Sequence, residues 1–393
     1  LTTGLPSNHA MSGLSYLQDQ ATAFPDQEEH FTQLSNLYKD RLWFQLTEKL
    51  LQLLSVPHFQ KAPHLLNLYQ EFVKGFEKDL SKLDLAQFAI AASKQCDDFK
   101  ETMSFLDKVA ETMKGNPQAD VLCKMEKAEL QIKACDNPDE LHSSVEANIE
   151  EGKSAMDKFE GIMDPVVHSS YYRVKFFFHK KKKQASEVFR HALLYLSYTP
   201  IDKIPSTERV EFAYDVSMAA LIGKDIFNFG ELLERPLVKV LDDSKYSSTL
   251  KLLEAFHNGD IKTYEDIMAK DGKAQPLLQA NKKFLSMKVR ILRLMGTVFS
   301  RSSRDRALSF KEISDACDTK IDEVEFLVMK SFSLGVLKGI VDQVAQSVNI
   351  KWVQPRVLTK GQIKNMGDRL KVWTAELSKA TAHVEEHSKE ILQ

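Results

Sequence analysis

His383-Val384-Glu385-Glu386-His387 is the sharpest chemical pattern in the chain, matching the H-x-x-E-H order in which two imidazoles one helical turn apart hold zinc beside a glutamate base. A catalytic zinc needs three protein ligands and an open position in a shaped cleft. His387 also falls on the apolar seam of a terminal helix, so the pattern reads as an amphipathic helix end rich in Glu and His. A second group, His179-Lys180-Lys181-Lys182-Lys183, follows Tyr171-Tyr172 and Phe176-Phe177-Phe178. Rings beside bases are what RNA binders use, and a lysine run can serve as an import signal. At helical spacing several of these rings must point into a core, and the run reads as a solvated helix end. Cys96, Cys123, Cys135 and Cys317 lie at irregular spacings with no Cys-x-x-Cys, which suits buried thiols better than a disulfide or zinc framework. No phosphate loop, G-x-G-x-x-G or G-x-S-x-G occurs, and Phe227-Asn228-Phe229-Gly230 reads as a tight turn packing its rings. No catalytic, cofactor-binding or metal residue is assigned, and the chain is expected not to be an enzyme.

Composition agrees with that reading. The 393 residues carry a net charge of −2, with 43% hydrophobic and 27% charged residues, an ordinary globular balance for two or three domains. A near-neutral chain lacks the long-range field that draws a protein to a polyanion or an anionic membrane. No run of about 18 apolar residues and no charged-then-apolar leader occur, so an intracellular protein is expected. A first residue of Leu1 points to a trimmed terminus.

The elements that position these residues are helices for most of the length. Residues 1–28, with Gly4, Pro6, Gly13 and Pro25, show no sustained period and are expected to be a flexible lead-in. Phe31, Leu34, Tyr38, Leu42, Leu46 and Leu50 then open a series of amphipathic helices, punctuated by Gly115-Asn116-Pro117, Asn137-Pro138 and Asp164-Pro165. Gly259 can close one helix and Asp260 cap the next. A compact bundle would satisfy much of this periodicity. Roughly 250 residues of helix exceed what a single core comfortably holds, which favours a solenoid of helical hairpins over residues 29–300. No convincing strand precedes Val336.

Residues 301–357 spell a winged helix. Ser309 and Glu312 form a capping box that opens a helix through Cys317. A second helix from near Thr319 buries Val324, Leu327, Val328 and Ser331, with Phe332 and Leu334 widening the stripe, and Gly335 stops it. Val336–Val341 and Val348–Val353 then read as a hairpin. Winged helices often bind DNA through a basic recognition helix, but Lys320 and Lys330 here face Asp322, Glu323 and Glu325, a balance that repels a duplex. Residues 358–393 form a terminal helix. Ile363, Met366, Leu370, Trp373, Leu377, Ala380, Val384, His387 and Ile391 alternate three and four apart, the seam of a helix packed into a bundle. A fold-back of this helix onto its own domain is the competing reading.

Helical hairpins, winged helix and terminal helix in this order resemble the PCI-domain proteins of proteasome lid, signalosome and translation-initiation complexes. The likeness narrows at Phe227–Leu233, Asp322–Lys330, Gly335–Gly339 and Trp352–Leu358, which resemble the family of proteasome non-ATPase regulatory subunit thirteen. Asp368-Arg369-Leu370 with Trp373, and Tyr38–Leu46 near the start, extend it, while residues 137–183 match poorly. Gly367 stands where the family leads one to expect Lys. The resemblance implies a mainly α, non-catalytic subunit of the regulatory-particle lid. It would associate with other PCI subunits through winged-helix edges and with a helical bundle that includes deubiquitinase subunits, with no cofactor, DNA or membrane. The residues suited to those contacts are Val336, Leu337, Ile340, Ile350, Trp352 and Val353 of the hairpin, with Pro355 after it. In the tail they are Ile363, Met366, Leu370, Trp373, Leu377, Val384 and Ile391. A PCI subunit of another assembly, such as the signalosome, a translation-initiation complex or a messenger-RNA export complex, with some nucleic-acid contact, is the alternative.

Overall fold

The computed structural model describes residues 8–96, 98–135, 142–242, 244–270, 276–301, 306–355 and 360–388. The chain divides into two compact units, residues 1–203 and residues 204–393. The expected helical block over 29–300 is therefore split, its last third grouping with the winged helix.

In the first unit the chain runs through α1 (Asn8–Ala23), α2 (Glu28–Lys39), α3 (Trp43–Leu53), α4 (His64–Glu71) and α5 (Lys82–Ser93). It continues through α6 (Phe99–Thr112), α7 (Pro117–Ala134), α8 (His142–Asp157), α9 (Pro165–Lys181) and α10 (Ala185–Tyr198). The starts are written in the sequence: Asp98, Asn116 and Asp164 each accept from amides of the first helical turn, and Pro117 and Pro165 follow directly. Successive helices pack on one another, α7 on α8 and α9 on α10, while α5, α7 and α9 also stack in a row. That is the helical-hairpin arrangement expected of a solenoid. Buried Gln95 ties two segments together, its Oε1 accepting from Leu65 N at 2.8 Å and its Nε2 donating to Phe59 O at 2.6 Å.

The lead-in expected over residues 1–28 is corrected by α1, which buries Leu17. Residues 1–7 lie outside the described residues. Gly13, read from the sequence as a loop residue, is a packing residue. A Cβ there would meet Phe72 Cδ2 at 3.2 Å and Glu71 O at 3.3 Å, so glycine lets α1 press onto the end of α4.

The second unit opens with α11 (Ser206–Ile222), α12 (Gly230–Glu234), α13 (Pro236–Lys239), α14 (Ser247–Asn258) and α15 (Ile261–Lys270). Then come α16 (Pro276–Ala280) and α17 (Lys282–Ser300). Gly259 closes α14 at φ 67°, with no room for a Cβ beside the Arg293 backbone at 2.8 Å, and Asp260 caps α15 through Thr263. The core holds a cation that nothing in the sequence pattern announces. Lys288 of α17, 1% exposed, donates to the carbonyls of Ala220, Leu221 and Gly223 at 2.7–2.9 Å, closing the end of α11, and the Phe227, Phe229 and Phe284 rings surround its ammonium. Burial pushes this amine down to about 7, against the pull of Asp225.

The winged helix follows as β1 (Ala307–Ser309), α18 (Phe310–Cys317), α19 (Ile321–Ser333), β2 (Leu337–Asp342) and β3 (Ser347–Val353), and α20 (Lys360–Ser388) ends the described chain. β1 corrects the expectation that no strand precedes Val336. Three residues are too few to show a period in sequence, and β1 is held by antiparallel pairing to β3. The sheet order is β1-β3-β2, which leaves β2 on an edge.

Candidate interaction surfaces

The winged helix is anchored by the capping box that its sequence spells. Glu312 N donates to Ser309 Oγ at 3.2 Å, and Ser309 N donates to Glu312 Oε2 at 2.8 Å. Arg301 Nη2 donates to Glu312 Oε1 at 2.7 Å, and these bonds hold the carboxyl down to about 2, Arg301 contributing most. α18 and α19 span the expected stretches, and Val324, Leu327, Val328 and Ser331 are the buried face of α19. Phe332 and Leu334 are half-buried. Gly335, at φ 70°, turns the chain into β2.

The hairpin sorts the predicted contact residues by face. Val336, Leu337 and Ile350 are buried in the core of the winged helix, so their side chains hold the fold and any contact they make to a neighbour is through the backbone. Ile340, 57% exposed, and Trp352, 39% exposed, lie on the outer face, with Lys338 paired to Trp352 across the strands and its Nζ 5.1 Å from the indole centroid. Val353 is half-buried and Pro355 exposed. The register shifts between Lys338 and Gly339, where a Cβ would meet Asn349 O at 2.3 Å, so only glycine lets the strands close at this bulge. Beyond β2 no further strand lies among the described residues, and its edge is open to pairing.

In α20 every described side chain is exposed. Ile363, Met366, Leu370, Trp373, Leu377 and Val384 form an uncovered apolar seam, joined by Val372 beside it, while Ile391 lies outside the described residues. The helix runs unbroken through Gly367, and at 29 residues it is about 43 Å long. His383, Glu386 and His387 do gather on this helix, and all three are exposed.

Two surfaces escaped the sequence reading. Ile321, Phe326 and Met329 of α19 are exposed, Phe326 at 60% and on the side opposite the buried stripe. A groove of about 790 Å³ runs beside them, with Lys282, Lys283 and Arg290 on α17 and Asp322 and Glu323 on α19. The signal was present, since a helix apolar on both faces has more than its own core to cover. In the first unit a groove of about 500 Å³ crosses α5, α7, α9 and α10. At its floor Arg173 Nε reaches both oxygens of Glu129 at 3.1 and 3.2 Å, and Lys133 Nζ lies at 2.7 Å. Burial alone would raise Glu129, but Arg173 and Lys133 hold it below the ordinary carboxylate range. Such a network joins residues 44 apart in sequence and leaves no local pattern.

The basic run is less solvated than its composition suggests. Tyr171, Phe176 and Phe178 are buried as expected. Lys181 Nζ donates to Cys135 O at 3.1 Å, and Lys182 pairs with Glu146 and lies over the Phe178 ring. Lys181 and Lys182 therefore bind neighbouring segments of the chain. The four cysteines form no disulfide among the described residues, and burial pushes the Cys123 and Cys317 thiols up to about 12.

Helical hairpins leading into a winged helix, with an open strand edge and an uncovered terminal helix, define a PCI-domain protein, and the PCI domain matches at residues 261–352. The preceding stretch, residues 30–253, matches the PSD13 N-terminal repeats. The chain is 34% identical over 385 residues to the 26S proteasome non-ATPase regulatory subunit 13 homolog B of Arabidopsis thaliana, covering 97% of this chain and 100% of that one. It is 31% identical over 388 residues to the 26S proteasome non-ATPase regulatory subunit 13 of Dictyostelium discoideum, covering 96% and 98%. Against the 26S proteasome regulatory subunit RPN9 of Saccharomyces cerevisiae the identity is 32% over 408 residues, covering 98% and 99%. The chain belongs to the family of 26S proteasome non-ATPase regulatory subunit 13.

Proposed function

We propose that the chain is a non-catalytic structural subunit of the lid of the 26S proteasome regulatory particle, in cytoplasm and nucleus. It supports ATP- and ubiquitin-dependent protein degradation by holding neighbouring subunits in place. The β2 edge receives or extends a sheet of an adjacent PCI subunit, and α20 enters a helical bundle that includes the deubiquitinase subunits. The observation that carries this reading is the seam of α20, whose Ile363, Met366, Leu370, Trp373, Leu377 and Val384 are all exposed. An apolar stripe on a rod of about 43 Å is stable in water when other helices cover it. The bonding at β2 is left open in the same way, with Ile340 and Trp352 beside it to give side-chain contact.

Capture on the intact chain tests the proposal. Lid PCI subunits and the proteasome deubiquitinase are the expected co-purifying chains. Recovery of ribosomal or export factors in their place would overturn it in favour of a PCI subunit of another assembly.

A further inference from the structure

The turn between α9 and α10 holds a motif that the scaffold role does not use. Lys183, in the left-handed region at φ 55°, reverses the chain after His179, and Gln184 N donates to His179 O at 3.1 Å. α10 then runs back along α9 and brings Glu187 and His191, one helical turn apart, against His179. One ligand atom from each of the three, two imidazole nitrogens and a carboxylate oxygen, lies within 4.8 Å of the others.

The surroundings prepare these groups as ligands. His179 Nδ1 lies 2.7 Å from Gln184 Oε1. An amide oxygen only accepts, so Nδ1 carries the proton and Nε2 keeps a free lone pair, the outer-sphere arrangement that ligating histidines use. His191, 8% exposed, is stacked between Tyr172 and His179, and its Nε2 is 3.5 Å from Glu187 Oε2. Its Nδ1 is buried without a hydrogen-bond partner among the described residues. A buried ring nitrogen without a partner is costly, and His191 presents its other nitrogen, Nε2, to Glu187.

We propose that His179, Glu187 and His191 form a binding site for a divalent transition metal of the zinc class, which staples α9 to α10. Two imidazoles and one carboxylate are a zinc-type set, and the nitrogens select against magnesium and calcium. Binding at about 2.1 Å draws tetrahedral donor atoms to roughly 3.4 Å from one another. That movement falls to His179 and Glu187, which are half-buried, while His191 stays in its packing. Because a metal lies in the plane of each imidazole it binds, His179 gives up its near-parallel stack on His191, now at 14°. Lys175, Lys182 and Arg190 stand close enough to affect the two imidazoles, and their charge opposes metal binding.

Co²⁺ titration of the full chain carrying His383→Gln and His387→Gln, which remove the exposed tail cluster, tests the site. One equivalent should bind with the visible bands of a nitrogen and oxygen site, without thiolate-to-cobalt charge transfer, and Zn²⁺ should displace it. His179→Gln and Glu187→Gln should each weaken Co²⁺ at least about tenfold while the circular dichroism is unchanged, and Gln184→Ala about tenfold. X-ray absorption of the Zn²⁺-loaded protein with its three ligands intact should show two imidazoles, a result independent of how the variants fold. No saturable Co²⁺ band, a thiolate band, a band indifferent to His179→Gln and Glu187→Gln, or a zinc shell without two imidazoles would overturn the proposal.

Discussion

Lys288 shows what single residues contribute that pattern cannot announce. It occupies a buried position of an amphipathic helix, where a sequence reading expects an apolar side chain. Its role appears only when the end of α11, more than 60 residues earlier, presents three carbonyls to it. Lys288→Met should fill similar space, leave those carbonyls without their donor and destabilise the second unit by about 1–3 kcal/mol in chemical denaturation. The pH dependence has a definite sign. Burial lowers the folded pKa from 10.5 to about 7, so between these values the unfolded chain binds more protons at this site than the folded one. Stability from this group therefore rises with pH across that window, and the Lys288→Met variant should lack the rise. Other single-residue features were readable because they are local: the Ser309–Glu312 box, the left-handed Gly259 and the Asp260 cap each span only a few residues.

At the scale of elements, the winged helix was the most legible part and α1 and β1 the least. α18, α19 and the hairpin announce themselves by a capping box, a helical stripe and β-branched runs, whereas β1 exists through pairing with a strand 40 residues later. α1 was hidden because Gly13 breaks a helical pattern in sequence but serves close packing in the fold. Glycines of opposite meaning within one unit give a direct comparison. Gly339→Ala would place a Cβ 2.3 Å from Asn349 O and should cost about 1–3 kcal/mol by denaturant midpoint. Gly367→Ala meets nothing within 4 Å on an exposed helix and should stabilise α20 by up to about 1 kcal/mol. Equal effects at both positions would contradict the roles assigned to the bulge and the free rod. The predicted contact residues divided for a related reason: alternation in β2 and β3 fixes two faces, but which face meets the core is decided by α19, so Leu337 and Ile350 turned inward while Ile340 and Trp352 remained outside.

For the whole molecule, the order of helical hairpins, winged helix and terminal helix followed from periodicity, while the division at residue 203 did not. Helices on both sides of that point share the same amphipathic form, and only their tertiary contacts separate them. The larger consequence of the proposed role is a prediction, that folding and assembly reside in different residues. Cores in both units are closed, yet the β2 edge and the α20 seam are left uncovered. Removal of residues 359–393 separates the two most directly. Native gel electrophoresis of lid assembled with the shortened chain should show a folded subunit, with unchanged thermal melting of its remaining helices, that no longer enters the lid. Incorporation equal to that of the full chain would contradict the account.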